Sequence, residues 1–312
     1  MSNYLITGGA GFIGSNLVKK LTKRGYDVRV LDNFSTGRRA NLWEITSDIE
    51  LIEGDLRSYH LVEQAVDGID YILHQGALPS VPRSVRDPVT SSEVNITGTL
   101  NLLDAAVAAG VKRVVYASSS SVYGDNPTLP KAEEMIPSPL SPYAVTKLTG
   151  EYFCRVFNRI YGLETISLRY FNVFGPNQDP NSEYAAVIPK FIRSIQHGEQ
   201  PIIYGDGTQS RDFTFVDNVI EANMLACKQE NVSGEVINIA CGERYTLLDL
   251  VAALNDIMGT SIEPRFVKPR PGEVKHSLAS IEKARSLMGY ESKVDFIEGL
   301  KRTVNYFEKS DQ

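Results

Sequence analysis

Tyr143 and Lys147 stand four residues apart, and a run of four serines, Ser118, Ser119, Ser120 and Ser121, ends 22 residues before the tyrosine. A Tyr and a Lys at this spacing project from one face of a helix, one turn from each other. A phenol is a poor base at neutral pH because its unperturbed pKa is about 10. A neighbouring ammonium favours the phenolate and lowers that value. A serine hydroxyl presented from a strand end can then share a substrate proton. Together these groups can take a proton from a secondary alcohol while a hydride leaves the same carbon. The pair alone also fits an exposed helical face, and the start of the chain gives it weight.

Tyr4-Leu5-Ile6-Thr7 reads as a short buried strand, followed by Gly8-Gly9-Ala10-Gly11-Phe12-Ile13-Gly14 and a helical pattern through Leu17, Val18 and Leu21. Glycines at 8, 11 and 14 keep the spacing of a strand–turn–helix whose backbone N–H groups face a pyrophosphate. A second strand, Asp27-Val28-Arg29-Val30-Leu31, ends at Asp32. That is about 20 residues past the turn, where a carboxylate binds a ribose diol. Its charge opposes a 2′-phosphate and favours NAD over NADP, while Arg38 and Arg39 pull the other way. Further strands are expected at Ile49–Ile52, Tyr71–His74, Val114–Ala117 and Thr165–Arg169. Asp87-Pro88 reads as an N-cap followed by proline, opening a helix that Gly110 closes. The serine run falls at the carboxyl end of the fifth strand, the edge where doubly wound sheets hold ligands.

The fold expected is α/β: a doubly wound, Rossmann-type parallel sheet with a smaller C-terminal substrate-binding lobe. Residues 1–173 form the nucleotide domain, rejoined by about 213–240; residues 174–212 and 241–312 form the lobe. The strand–helix rhythm breaks after Gly175, where Pro176-Asn177-Gln178-Asp179-Pro180-Asn181 follows. The 312 residues, 42% hydrophobic, suffice for a large core. A net charge of −6 gives no support to nucleic-acid or anionic-membrane binding. Three cysteines without paired spacing fit a reducing compartment. No signal-peptide pattern or spanning apolar run is present, so the cytoplasm is expected. His60, His74, His197 and His276 are isolated, so we expect no metal site and give each His a structural or surface role.

Taken together, the glycine turn, Asp32-Asn33, Gly54-Asp55-Leu56, Ser118 to Gly124 and Tyr143 to Lys147 resemble the extended short-chain dehydrogenase/reductase superfamily. Leu168-Arg169-Tyr170-Phe171-Asn172, Gly205 to Phe213 and Arg270-Pro271-Gly272-Glu273 narrow the resemblance to nucleotide-sugar 4-epimerases. His74-Gln75, Ser80-Val81-Pro82-Arg83-Ser84 and Leu140 to Lys147 are similar to the bacterial UDP-N-acetylglucosamine 4-epimerases. The resemblance implies bound NAD, contacted by Gly8, Gly11, Phe12, Ile13, Gly14, Asp32, Asn33, Asp55, Leu56, Gln75, Asn95, Tyr143, Lys147 and Tyr170. It implies a UDP-sugar, contacted by Ser121, Asn172, Val187, Tyr204, Arg211, Arg270, Glu273 and Ser277. By the same alignment Tyr143 is the proton acceptor, Lys147 binds the nicotinamide ribose, and Ser119 is the catalytic serine. Ser118, Ser120 or Ser121 could share the serine's role. Ser277 stands where relatives restricted to glucose and galactose carry a bulky Tyr, and Pro79 where they carry a Lys. Both differences suit an N-acetylated sugar.

The family also implies a homodimer built on a four-helix bundle. The candidate helices are residues 88–110, with an apolar face of Leu100, Leu103, Ala106 and Val107, and residues 142–161. Nucleotide-sugar 4,6-dehydratases carry an Asp-Glu pair before the Val122-Tyr123-Gly124 equivalent, and UDP-glucuronate decarboxylases a Glu at the position of Ser121. Here both positions hold serines, and a hydroxyl cannot replace a carboxylate as acid or base. The expected activity is interconversion of UDP-GlcNAc and UDP-GalNAc, with UDP-glucose and UDP-galactose as further substrates. The alternatives are a UDP-glucuronate 4-epimerase and a non-catalytic NAD-sensing protein on the same fold.

Overall fold

The computed structural model describes residues 2–180, 186–269 and 274–310. Arg270 and Glu273, expected at the substrate, lie outside the described residues. The first half alternates strand and helix: β1 (Asn3–Thr7), α1 (Phe12–Lys23), β2 (Asp27–Asp32), β3 (Glu50–Glu53), α2 (Tyr59–Val66) and β4 (Tyr71–His74). It continues through α3 (Val81–Arg86), α4 (Pro88–Ser92), α5 (Gly98–Ala108), β5 (Arg113–Ser119), α6 (Pro142–Tyr161) and β6 (Glu164–Tyr170). One π-helical turn, Glu93–Thr97, joins α4 to α5. These strands and a later one, Glu235–Ile239, form a seven-stranded sheet in the order Glu235–Ile239, β6, β5, β4, β1, β2, β3, every pair parallel. The order reverses between β1 and β4, and the crevice at their carboxyl ends is the switch point of the doubly wound fold.

Strand alternation divides the core between the two faces. Ile6, Val30, Leu73 and Val115 face one layer, packed with Leu17, Val18 and Leu21 of α1 and with the helix Val216–Lys228. Leu5, Leu31, Ile72 and Val114 face the other, with Val62 of α2, Leu102 of α5 and Cys154 and Phe157 of α6. Asp87 caps α4 by accepting from the Thr90 N–H at 3.1 Å, and Gly110 has a φ of 67° past the end of α5.

The bundle face expected on residues 88–110 is corrected. Leu103 and Ala106 are fully buried against the chain's own sheet, and Leu100 and Val107 pack beside them. Exposed apolar side chains line the other candidate helix, α6, at Val145, Tyr152, Val156 and Ile160, with Val81, Val85 and Val89 on the adjoining α3 and α4. The spacings of seven, four and four along α6 set its four side chains in one stripe.

The smaller lobe follows Val173. It contains helices Val187–Gln196 and Leu247–Met258, the parallel pair Ile202–Tyr204 with Arg265–Val267, and the antiparallel pair Ser210–Arg211 with Tyr245–Thr246. Among the described residues, no helix is long and apolar enough to cross a membrane, and no cluster of His, Cys, Asp or Glu could hold a metal ion.

Candidate active site

α6 carries Tyr143 and Lys147, and its start is fixed from both sides. Ser141 caps the helix, accepting from the Ala144 N–H at 3.2 Å, and Pro142 occupies its first turn. Ser84 of α3 accepts from the Tyr143 N–H at 3.0 Å and donates to the Val81 carbonyl. Lys147, one turn on, is buried and donates to the Ala117 carbonyl of β5 at 2.8 Å. Burial lowers its amine to about 8. Burial also pushes the Tyr143 phenol up, while the Ser119 hydroxyl draws it down. Lys147 is the cation expected, with the cationic nicotinamide, to depress the phenol. Its nitrogen sits 5.9 Å from the Tyr143 ring centroid and is committed to a backbone carbonyl. In the protein alone, desolvation of the phenolate outweighs the help of the Ser119 hydroxyl.

The four serines separate by direction. Ser118 points from β5 into the interior and donates to Glu151 at 2.5 Å. Ser119 ends the strand and is the serine whose hydroxyl draws the Tyr143 phenol down; it accepts from the Ser121 N–H at 3.2 Å. Ser120 begins a 3₁₀ turn, Ser120–Tyr123, and is half-buried. The Ser121 hydroxyl is buried without a hydrogen-bond partner among the described residues.

A cavity of 580 Å³ runs along the carboxyl edge of the sheet, lined by Gly8, Gly11, Phe12, Ile13, Gly14, Asp32, Asn33, Asp55, Leu56, Gln75, Tyr143, Lys147 and Tyr170. The glycine turn fits a dinucleotide. Gly8 has a φ of +67°, and a Cβ there would come within 2.7 Å of Gly76. A Cβ on Gly14 would meet the Gly8 carbonyl at 2.1 Å. The first turn of α1 has no side-chain cap, so its N–H groups remain for an anion. Asp32 accepts from the backbone N–H of Ala10 and of Phe34, and burial raises its carboxyl. Arg39 is drawn off to Glu53, at 2.5 Å, and lies over the Phe34 ring. Arg38 lines the cavity and sits 3.9 Å from Asp179. Asp55 accepts from Asn33 and Arg57, and Arg57 lowers its carboxyl to about 2. Gln75 and Tyr170 join Asn223 in a buried cluster, and burial raises the Tyr170 phenol to about 12.

Asn95 is the exception among the expected cofactor contacts. It is buried beneath the cavity, holds both backbone groups of Leu78, and donates to Thr146. It shapes the loop that lines the cavity rather than lining it. His74 bridges Thr7 and Thr99, and burial takes its imidazole down to about 3, so it is a neutral structural histidine.

A second cavity, of 610 Å³, opens in the smaller lobe, and Ala186 lines both. Asn172, Val187, Tyr204 and Arg211, all expected at the substrate, line this second space together. Ser277 lines neither cavity. Its N–H donates to the Ser210 carbonyl at 3.0 Å, one residue from the wall formed by Arg211. Arg83, Asn177, Gln178, Asp179, Arg193 and His197, none of them expected at a ligand, also line these spaces. Those six come from segments far apart in sequence and are gathered only by the fold.

Residues 4–240 match the NAD dependent epimerase/dehydratase family. The structure is similar to the UDP-N-acetylglucosamine 4-epimerase of Methanobrevibacter ruminantium M1, solved with UDP-N-acetylmuramic acid: 40% identity and a TM-score of 0.95, over 99% of each chain. It is similar to the Thermotoga maritima UDP-glucose 4-epimerase with UDP-glucose, at 39% identity and a TM-score of 0.95, over 99% of this chain and 100% of that one. It also resembles the Bacillus cereus UDP-glucuronic acid 4-epimerase with UDP-glucuronic acid and NAD, at 34% identity and a TM-score of 0.91, over 99% of each chain.

Proposed function

Because this chain belongs to the NAD-dependent epimerase/dehydratase family, we propose that it interconverts UDP-N-acetylglucosamine and UDP-N-acetylgalactosamine, with UDP-glucose and UDP-galactose as further substrates. It is an NAD-dependent UDP-sugar 4-epimerase; the choice of sugar is the finer reading. The observation that carries it is Ser119 at the end of β5 with Tyr143 and Lys147 one turn apart on α6, beside one cavity suited to a dinucleotide and an adjoining one in the lobe.

The cavity residues fit NAD, which when bound supplies the acceptor and donor of hydride at sugar C4. Tyr143 takes the proton of the sugar 4-hydroxyl and gives it back after the flat 4-keto sugar has turned over. Ser119 shares that proton through its contact with the phenol. Lys147 holds the helix to β5 and brings positive charge to the phenol's side of the site. Asp32 receives the ribose diol, and the first turn of α1 the pyrophosphate. In the lobe, Arg211, whose Nη1 donates to the Ser210 and Lys275 carbonyls, brings a guanidinium to the sugar nucleotide's diphosphate, with Asn172, Val187 and Tyr204 around it. Arg270 and Glu273 are assigned to the same nucleotide from the resemblance alone. Hydride returns to the carbon and the proton to the oxygen that they left, so product and substrate have equal mass.

Two features support the acetylated sugar: the small Ser277 beside the Arg211 wall, and Pro79 in the cavity lining. A second reading, a UDP-glucuronate 4-epimerase, is favoured by Arg83, a guanidinium lining the same cavity near Tyr143. The exposed stripe on α6, with α3 and α4, supports a homodimer through paired helices. Incubating the protein with each UDP-hexose, UDP-N-acetylhexosamine and UDP-glucuronate, then resolving the sugar epimers, tests the assignment. Turnover of glucuronate alone would transfer it to the second reading. A product lighter by water or carbon dioxide would defeat both.

A further inference from the structure

α6 presents a third group on the face that carries Tyr143 and Lys147. Glu151 lies one turn beyond the lysine and is buried. Lys147 bonds the carbonyl of Ala117, and Glu151 bonds the hydroxyl of Ser118. Two successive turns of the helix are thus tied to two successive residues of β5, immediately before Ser119. Glu151 also accepts from Nε and Nη2 of Arg169 at 2.8 Å each, a bidentate pair with both side chains almost wholly buried.

The sheet register makes this more than a local pair. Ser118 lies opposite Arg169 on β6, and Arg169 lies opposite Asn238 on the strand Glu235–Ile239. The guanidinium sits 4.6 Å over the ring of Tyr123, whose hydroxyl donates to Asn238 at 2.7 Å. Tyr123 closes the 3₁₀ turn that begins at Ser120. The turn that follows Ser119 is therefore clamped at both ends: at Ser118 through Glu151, and at Tyr123 through Arg169 and Asn238.

Stability does not explain such a pair. Desolvating two charges offsets much of their attraction, and apolar replacements of similar volume are often neutral or stabilising. Arg169 Nη1 has no hydrogen-bond partner among the described residues, so this pair is not fully compensated. What it does fix is geometry. We propose that Ser118, Glu151 and Arg169 form a positioning unit that holds Ser119 in register with the Tyr143 phenol. Glu151 and Arg169 line neither cavity, and the Ser118 hydroxyl, at the wall of the nucleotide cavity, is committed to Glu151. The proposal rests on the epimerase reading above and assigns Ser118 a role distinct from that of Ser119.

Two variants test it in the NAD-loaded protein. Ser118→Ala cuts the strand–helix tie with little threat to folding, and Glu151→Leu with Arg169→Met replaces the pair by apolar side chains. Both are expected to keep NAD content and melting temperature near wild type. Turnover should fall about 10- to 100-fold with KM changed less than about threefold, as when only a transition-state interaction is lost. The acid limb of the rate profile should move to higher pH, because Tyr143 loses the hydroxyl that draws its pKa down. Titration of the Tyr143 phenol, read by ring-labelled NMR against Tyr143→Phe, follows the same shift without any sugar. If wild-type protein turns over no UDP-sugar, the epimerase reading fails while the titration still judges the clamp. Unchanged turnover and titration in Ser118→Ala overturn the proposal, even if the double variant fails to fold. Turnover losses that only track losses of NAD or melting temperature overturn it too, since they mark a merely structural role.

Discussion

Lys147→Met separates what the site needs from what the fold needs. The amine is buried, and desolvation brings it from an ordinary 10.5 to about 8. That drop corresponds to about 3 kcal/mol between the charged and neutral forms. The sign follows from the proton count. Between pH 8 and 10.5 the unfolded chain binds the proton and the folded chain does not, so stability rises with pH through that window. Below pH 8 the folded state carries the whole cost of about 3 kcal/mol. Methionine removes it but leaves the Ala117 carbonyl without its donor, worth roughly 1–3 kcal/mol. The variant should therefore equal or exceed wild type at pH 7, by up to about 2 kcal/mol, and fall below it near pH 10.5. Urea unfolding of cofactor-free protein across this range measures the difference. Its change with pH, about 3 kcal/mol, does not depend on the carbonyl. A pH-independent difference would refute the burial argument. Epimerase turnover should meanwhile drop at least ~100-fold.

Tyr143→Phe keeps the ring and the helix cap but removes the proton acceptor. Turnover should fall at least ~100-fold with nucleotide binding retained, and near-normal rates in a steady-state assay would sink the mechanism. Protein denatured after purification should release NAD or NADH, because Asp32 holds the ribose position and Arg39 is occupied by Glu53; chromatography showing mainly NADP would contradict this. Val156→Asp with Ile160→Asp should give a monomer in sedimentation velocity, since both lie in the exposed α6 stripe; an unaltered dimer would place the interface elsewhere. Ser277→Tyr adds a ring beside Ser210 and Arg211. It should cost the acetylated pair more than the glucose pair, and equal losses in competition assays would falsify the gate.

How far the site could be read from the sequence depended on how locally its geometry is specified. The glycine turn was legible because each glycine answers a close approach within one strand–turn–helix unit, as at Gly8 and Gly14. Tyr143 and Lys147 were legible because helical spacing alone sets them on one face. The cap at Asp87 and the end at Gly110 were legible for the same reason. Side chains whose direction depends on the sheet were not. Leu103 and Ala106 form an apolar face that could have met a partner or the chain's own strands, and only assembly showed that they pack inward. Residues 142–161 were legible as the second bundle helix, but which of its side chains stay exposed, at Val145, Tyr152, Val156 and Ile160, was settled only by how α6 lies on the sheet.

The serine run shows the limit most clearly. Four identical side chains in sequence carry no information about which one faces the phenol. Strand alternation decides it, because Ser118 and Ser119 must point to opposite faces of β5. Once β5 lies against α6, Ser118 is directed at Glu151 and Ser119 is left at the edge with Tyr143. The spacing 143, 147, 151 held the signal for Glu151, since the same helical rule that pairs the first two residues includes the third. Its partner could not be found this way. Arg169 becomes its neighbour only because β6 pairs with β5 in a register that sets Arg169 opposite Ser118. A local rule can name the residues that act, whereas the residues that aim them are settled by strand register.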